Sequence, residues 1–185
     1  MENTVNKNGI KLNREGESIT FRLAKQVVHS LREEAELKMI SLNALGNKIL
    51  SDYVNWYSKE SDAGFITIRK ETLKNLIGRV SNEEIEEIAE RVSSNTAKDI
   101  MLIMRKEYSF ESALDIFHTW MRVVGYVYSR EVSEDGTQLL TVKHDLGIKW
   151  SKYLCSLFLN LCHEFKVKET LVDMTENTVL FKVTP

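Results

Sequence analysis

From Ser18 to Leu23 the chain reads SITFRL, polar and apolar by turns, with Ile19, Phe21 and Leu23 on one side and Ser18, Thr20 and Arg22 on the other. A period of two marks a β-strand with one face buried. The period then changes. Across AKQVVHSLREEAELKM, Val28, Leu31 and Ala35 fall at the spacing of one helix face, with Val27 beside them. Met39 and Ile40 interrupt that pattern, and Ser41 then offers an N-cap hydroxyl to LNALGNKILSDYVNWY, where Leu42, Leu45, Ile49, Tyr53 and Trp56 again recur at helical spacing. Residues 17–57 are therefore predicted to form a strand, a helix, a short turn and a second helix. About forty residues cannot bury the apolar side of the strand and two helix faces within one chain. The arrangement that solves this is a dimer in which two copies of the strand pair antiparallel over four helices. Gly46, inside the second helix, costs about 1 kcal/mol against alanine, which a close helix crossing at the dimer core would explain.

A polar link, SKESDAG (58–64), follows. FITI (65–68) reads as a short extended piece and ETLKNLIGRV as a short helix. Ser81 and Glu84 have the spacing of a capping box, so a helix starts there and is predicted to continue to about Lys106, with a kink near Ser93 and Ser94. Ser109 is placed to cap FESALDIFHTWMRVV. GYVYSREV and QLLTVK then alternate as strands, joined across SEDGT, whose Asp135 and Gly136 are a hairpin signal. GIKWSKYLCSLFLNLCHEF reads as an apolar helix, and ETLVDM with NTVLFKV as a second hairpin about Thr175 to Asn177. The predicted class is α+β: helices first, then β-β-α-β-β with an antiparallel sheet packed by helices. The domains expected are a flexible arm over 1–16 carrying Lys7, Lys11 and Arg14, a dimerisation head over 17–57, a linker over 58–64 and a larger α+β domain over 65–185.

Composition narrows the classes. With 43% hydrophobic residues in 185 the chain can build a core, and its net charge of −2 argues against a general nucleic-acid coat while leaving room for a local reading surface. The part before Tyr57 is slightly basic and the rest acidic. The first twenty residues contain no apolar leader core and no run approaches the roughly 18 apolar residues of a membrane span, so no membrane partner and a cytoplasmic location are expected. Cys155 and Cys162 are too few for a disulfide framework and read as buried thiols.

The stretch from Ser18 to about Tyr57 resembles the ribbon-helix-helix family of DNA-binding proteins, the Arc and MetJ type. The alternating SITFRL, the turn ISLNAL (40–45) opening the second helix, and Ile49 and Leu50 one turn later carry the likeness. The resemblance implies a homodimer, or a higher oligomer, that places its paired ribbon in the major groove of double-stranded DNA. Ser18, Thr20 and Arg22 would then touch base edges. Arg22 suits guanine O6 and N7, and Thr20 brings a hydroxyl and a methyl for thymine. Ser41, Leu42 and Asn43, at the positive end of the second helix, would hold a phosphate, with Lys25 and Lys48 as further phosphate contacts.

Chemistry in the larger part is sparse. Cys155, Cys162 and His163 lack a second ligand pair at finger-like spacing, so no metal is expected. His144 and Asp145, ahead of Gly147 and Trp150, form the most distinctive polar cluster and are the candidate ligand site, with a capping Asp145 and a surface histidine as the plainer reading. His118 and Trp120 read as core or rim packing. No phosphate loop, nucleophile elbow or zinc-protease pair occurs, so neither catalytic residues nor a cofactor is predicted. The whole layout is similar to a group of archaeal proteins of unestablished function with an H-D-x-G-x-x-W-S segment, here His144 to Ser151, which implies only the two-part architecture. The functional expectation is a sequence-specific regulator whose larger domain senses an effector or extends the oligomer. The alternatives are an antitoxin-like module that holds a protein partner and, third, a C-terminal domain that binds or converts a small ligand near His144.

Overall fold

Residues 16–24 precede the first helix without regular secondary structure in the computed structural model, which describes residues 16–184. The arm residues Lys7, Lys11 and Arg14 lie outside that range. The described residues fall into two compact units, one reaching Gly46 and the other beginning at Asn47. The head was expected to run to Tyr57. The division instead falls inside the second helix, because residues 52–60 bond to the larger unit.

In the first unit, α1 (Lys25–Leu37) ends where Met39 takes a left-handed φ of 54°, and the Ile40 N–H reaches back to the Ala35 carbonyl. That return bond closes the orphan carbonyls of the helix end and turns the chain into α2 (Leu42–Asp52). Ser41 caps α2 as expected, its Oγ accepting the Ala44 N–H at 3.0 Å. The strand expected over 18–23 is not formed in the single chain. A strand exists only through a ladder to a neighbour, and no second strand of the first unit lies among the described residues. The apolar side of SITFRL is consequently open to water: Ile19 is 69% exposed, Phe21 58% and Leu23 48%.

In the second unit the end of α2 runs into a π-helical turn, π1 (Tyr53–Tyr57), marked by the Ser58 N–H bonding to the Tyr53 carbonyl. The extended piece expected at FITI has no regular structure. It is followed by α3 (Lys70–Ile77) and by α4 (Asn82–Arg91), whose Ser81 and Glu84 complete the reciprocal capping box. The break foreseen near Ser93 and Ser94 is a second π turn, π2 (Val92–Thr96). Both hydroxyls donate to the Glu90 carbonyl, at 2.9 and 2.8 Å, and side-chain competition of this kind opens a helical ladder. Then come α5 (Ala97–Arg105) and α6 (Phe110–Val123), the latter capped by Ser109.

The sheet is antiparallel throughout. Strands β1 (Val127–Val132) and β2 (Gln138–Lys143) form one hairpin, α7 (Ile148–Glu164) crosses over, and β3 (Glu169–Met174) and β4 (Thr178–Thr184) form the other, giving the spatial order β1-β2-β4-β3. Gly136, at φ 84°, turns the first hairpin, and Asp135 Oδ1 accepts the Thr137 N–H. In the central pair Leu140 faces Phe181 and Val142 faces Val179, all fully buried. Phe181 meets Phe158 of α7 at 4.2 Å and Phe117 of α6 edge-on at 5.8 Å. Burying a side chain of this size contributes about 1.5–3 kcal/mol. A second core lies among Trp56, α5, α6 and α7, so α6 and α7 are apolar on more than one side.

Candidate nucleic-acid interface and the buried histidine

Ser18, Thr20 and Arg22 are exposed, as are the apolar residues between them, and the segment has no regular secondary structure. Lys25 is the first residue of α1 and is exposed. Ser41 and Leu42 mark the start of α2, with Asn43 one position further along. Lys48 is committed elsewhere: its Nζ lies 2.6 Å from Asp52 Oδ2, one turn along the same helix. Asp52 is itself buried, and Arg122 of α6 brings Nη1 to 2.8 Å from Oδ1, an ion contact without hydrogen-bond alignment. This clamp and the Trp56 indole, which donates to Glu60 Oε2 at 2.9 Å, fix the end of α2 and π1 in the second unit. Arg105 strengthens the same region. Its guanidinium pairs with Asp115 and donates to the Asn55 and Met104 carbonyls and to Thr119 Oγ1. None of these ties was read from the sequence; the decisive ones, Asp52 to Arg122 and Arg105 to Asn55, join residues far apart along the chain.

The cluster at His144 differs from the ligand site expected there. His144 is fully buried rather than a surface residue, and burial pulls its pKa down to about 4. Nδ1 accepts the Leu146 N–H at 3.1 Å, so the proton sits on Nε2, which donates to Ser151 Oγ at 2.9 Å. Ser151, also fully buried, donates its hydroxyl hydrogen bond to the Thr175 carbonyl at 2.8 Å. Asn177 completes the link: its carbonyl takes the His144 N–H and its Oδ1 the Gly147 N–H. The backbone N–H groups of Leu146 and Gly147 are thus both occupied from within. The pair is also not poised for nucleophilic attack, which needs a histidine that accepts the serine proton. Its role is to tie the end of β2 and the start of α7 to the β3–β4 turn.

Asp145 is exposed with φ 62°, and no side chain caps α7. The cap position belongs to Gly147, at φ 85° and ψ 173°, a region essentially reserved for glycine. Trp150 is buried against Tyr153 at 4.9 Å, its indole N–H beside the Tyr126 hydroxyl without a well-formed hydrogen bond. A signal for Ser151 did exist: it is a hydroxyl on a helix face otherwise made of Trp150, Leu154, Cys155 and Phe158.

The thiols are buried and unpaired, with Cys155 Sγ 3.7 Å from Met174 Sδ. Burial raises both thiol pKa values, that of Cys155 to about 11, which holds them protonated. His163 is exposed, and no group of three or more metal-ligating side chains occurs among the described residues. His118 is half-buried and lies tilted against Tyr128, ring centroids 4.8 Å apart. No helix among the described residues is long and apolar enough to cross a membrane.

The described residues thus make an α+β unit preceded by a two-helix segment with an apolar lead strip. No protein-family model matches the chain, and no curated protein matches it.

Proposed function

We propose that this protein is a homodimeric, sequence-specific DNA-binding regulator that reads the major groove with a β-ribbon built from residues 18–23 of two chains. The observation that carries this reading is the exposure of Ile19, Phe21 and Leu23 at strict alternation, together with that of Leu37 at 85% and Met39 at 92%. Among its described residues the first unit buries only Ala35 and Leu45 of its large set of apolar side chains. Apolar surface on this scale marks a site of association. Pairing two SITFRL segments would satisfy their backbone groups and bury one side, and the same step would align Ser18, Thr20 and Arg22 on the other. The start of α2 and Lys25 would meet phosphates. Lys48, held by Asp52, contributes least. The second unit serves effector sensing or further assembly, and no catalytic step is assigned to it.

The test is selection of bound sequences from random duplex DNA with the full chain, its dimer verified by sedimentation at stated salt. Enrichment of a two-fold symmetric site is expected, and Arg22→Ala should relax preference at one base in each half-site. A folded monomer at micromolar concentration, or a dimer that enriches no sequence, would overturn the reading.

A further inference from the structure

Between α5, α6, α7 and π2 lies a cavity of about 130 Å3 whose wall is almost entirely carbon. Met101, Ala113, Ile116 and Leu157 line its buried part. Phe65, Val92, Ile100 and Tyr153 form a partly exposed rim, so entry needs no unfolding. We propose that this cavity binds a small apolar molecule carrying a single six-membered aromatic ring.

Size and chemistry both point to that class. An enclosed apolar cavity of roughly 150 Å3 stays dry and accepts benzene or xenon, because water there finds no hydrogen-bond partners; this one, open at its rim, is close in size and its wall is as poor in polar partners. Close-packed interiors rarely keep such a void, since the lining atoms forgo their contacts. Two features of this chain hold it open. Alanines stand at 97 and 113, where any larger side chain would intrude. The π2 turn inserts its extra residue between Val92 and Ala97, both of which face the cavity. Turns of this kind recur at functional sites. Phe65, Phe117 and Trp120 supply aromatic side chains against which a ring can pack. The inference rests on the second unit alone and stands whether or not the first reads DNA. If it does, the ring compound is the class of its effector.

The experiment uses the full chain with benzene and toluene as probes and pyridine as a polar control of equal size. At tenfold excess over Kd, benzene should raise Tm by roughly 3–6 °C and shift the methyl resonances of Ala113 and Ile116. Ala113→Leu should melt at or above the parent temperature and lose both responses. Should that variant fail to fold, Ala97→Val narrows the cavity from its other side and must show the same loss. The inference is overturned by the absence of a Tm rise and methyl shift near the solubility limit of benzene. An unchanged response in the filled variants, or an equal response to pyridine, overturns it as well.

Discussion

His144 and Ser151, seven residues apart at a strand end and within α7, share a 2.9 Å hydrogen bond while neither side chain reaches solvent. Through the Thr175 carbonyl that bond joins the two hairpins of the sheet to the helix crossing between them. The histidine is therefore neutral when folded, and its contribution to stability depends on pH.

In the folded chain His144 titrates at about 4, below the roughly 6.5 of an unfolded histidine. The unfolded state thus takes the proton first as pH falls. The contribution of His144 is complete above pH 6.5, shrinks through the window down to 4 and is lost below it, amounting to on the order of 3 kcal/mol. Urea unfolding at pH 7, 5.5 and 4 measures it. His144→Asn should be about 1–3 kcal/mol less stable at pH 7 through lost hydrogen bonds, yet lose less on acidification. His118, lowered first by burial and then by Arg122, acts with the same sign in both proteins and cancels in the comparison. Equal pH slopes for the two proteins would remove the assignment.

Gly147→Ala should destabilise the second unit by about 1–3 kcal/mol. A Cβ there meets nothing within 4 Å, so the cost is backbone conformation alone. Denaturant midpoints at unchanged m-value report it, and a change under 0.3 kcal/mol would mean the cap can be rebuilt with another φ.

Asp52→Ala should cost about 1–2 kcal/mol, because it leaves Arg122 and Lys48 without their shared carboxylate. The figure stays below that of a fully buried pair since both cations keep contact with water. A double-mutant cycle with Arg122→Ala should return a coupling of roughly 0.5–1.5 kcal/mol. Independent, additive effects would show the contact to be ornamental.

Phe21 separates the monomer from the dimer. In a lone chain it is largely exposed, and Phe21→Ala would change little. In a paired ribbon its truncation should cost about 3–5 kcal/mol and abolish sedimentation as a dimer. Gly46 gives a matching contrast: with nothing within 4 Å of an added Cβ, alanine should stabilise a monomer by about 1 kcal/mol but weaken a dimer whose helices cross there. Arg22→Ala in an intact dimer should reduce specific binding by about 1–3 kcal/mol with little effect on scrambled duplexes.

By itself the sequence determined what depends on near neighbours along the chain. The Ser81–Glu84 box, the Ser41 and Ser109 caps, the Asp135–Gly136 turn, the loosened helix at Ser93 and Ser94 and the apolar alternation of β2 and β4 are each set within a few residues, by hydrogen bonds and side-chain periods that short segments impose. The α+β class followed from their order. Only the tertiary structure decided matters that join distant positions. It placed His144 inside instead of outside, bound it to Ser151, gave the α7 cap to Gly147 in place of Asp145, and clamped Asp52 to Arg122 so that the end of α2 belongs with the larger unit. It also left an apolar cavity where π2 meets α6. Burial and pairing of this kind depend on which surfaces the chain brings together, and a local pattern of polar and apolar residues is equally compatible with several such choices.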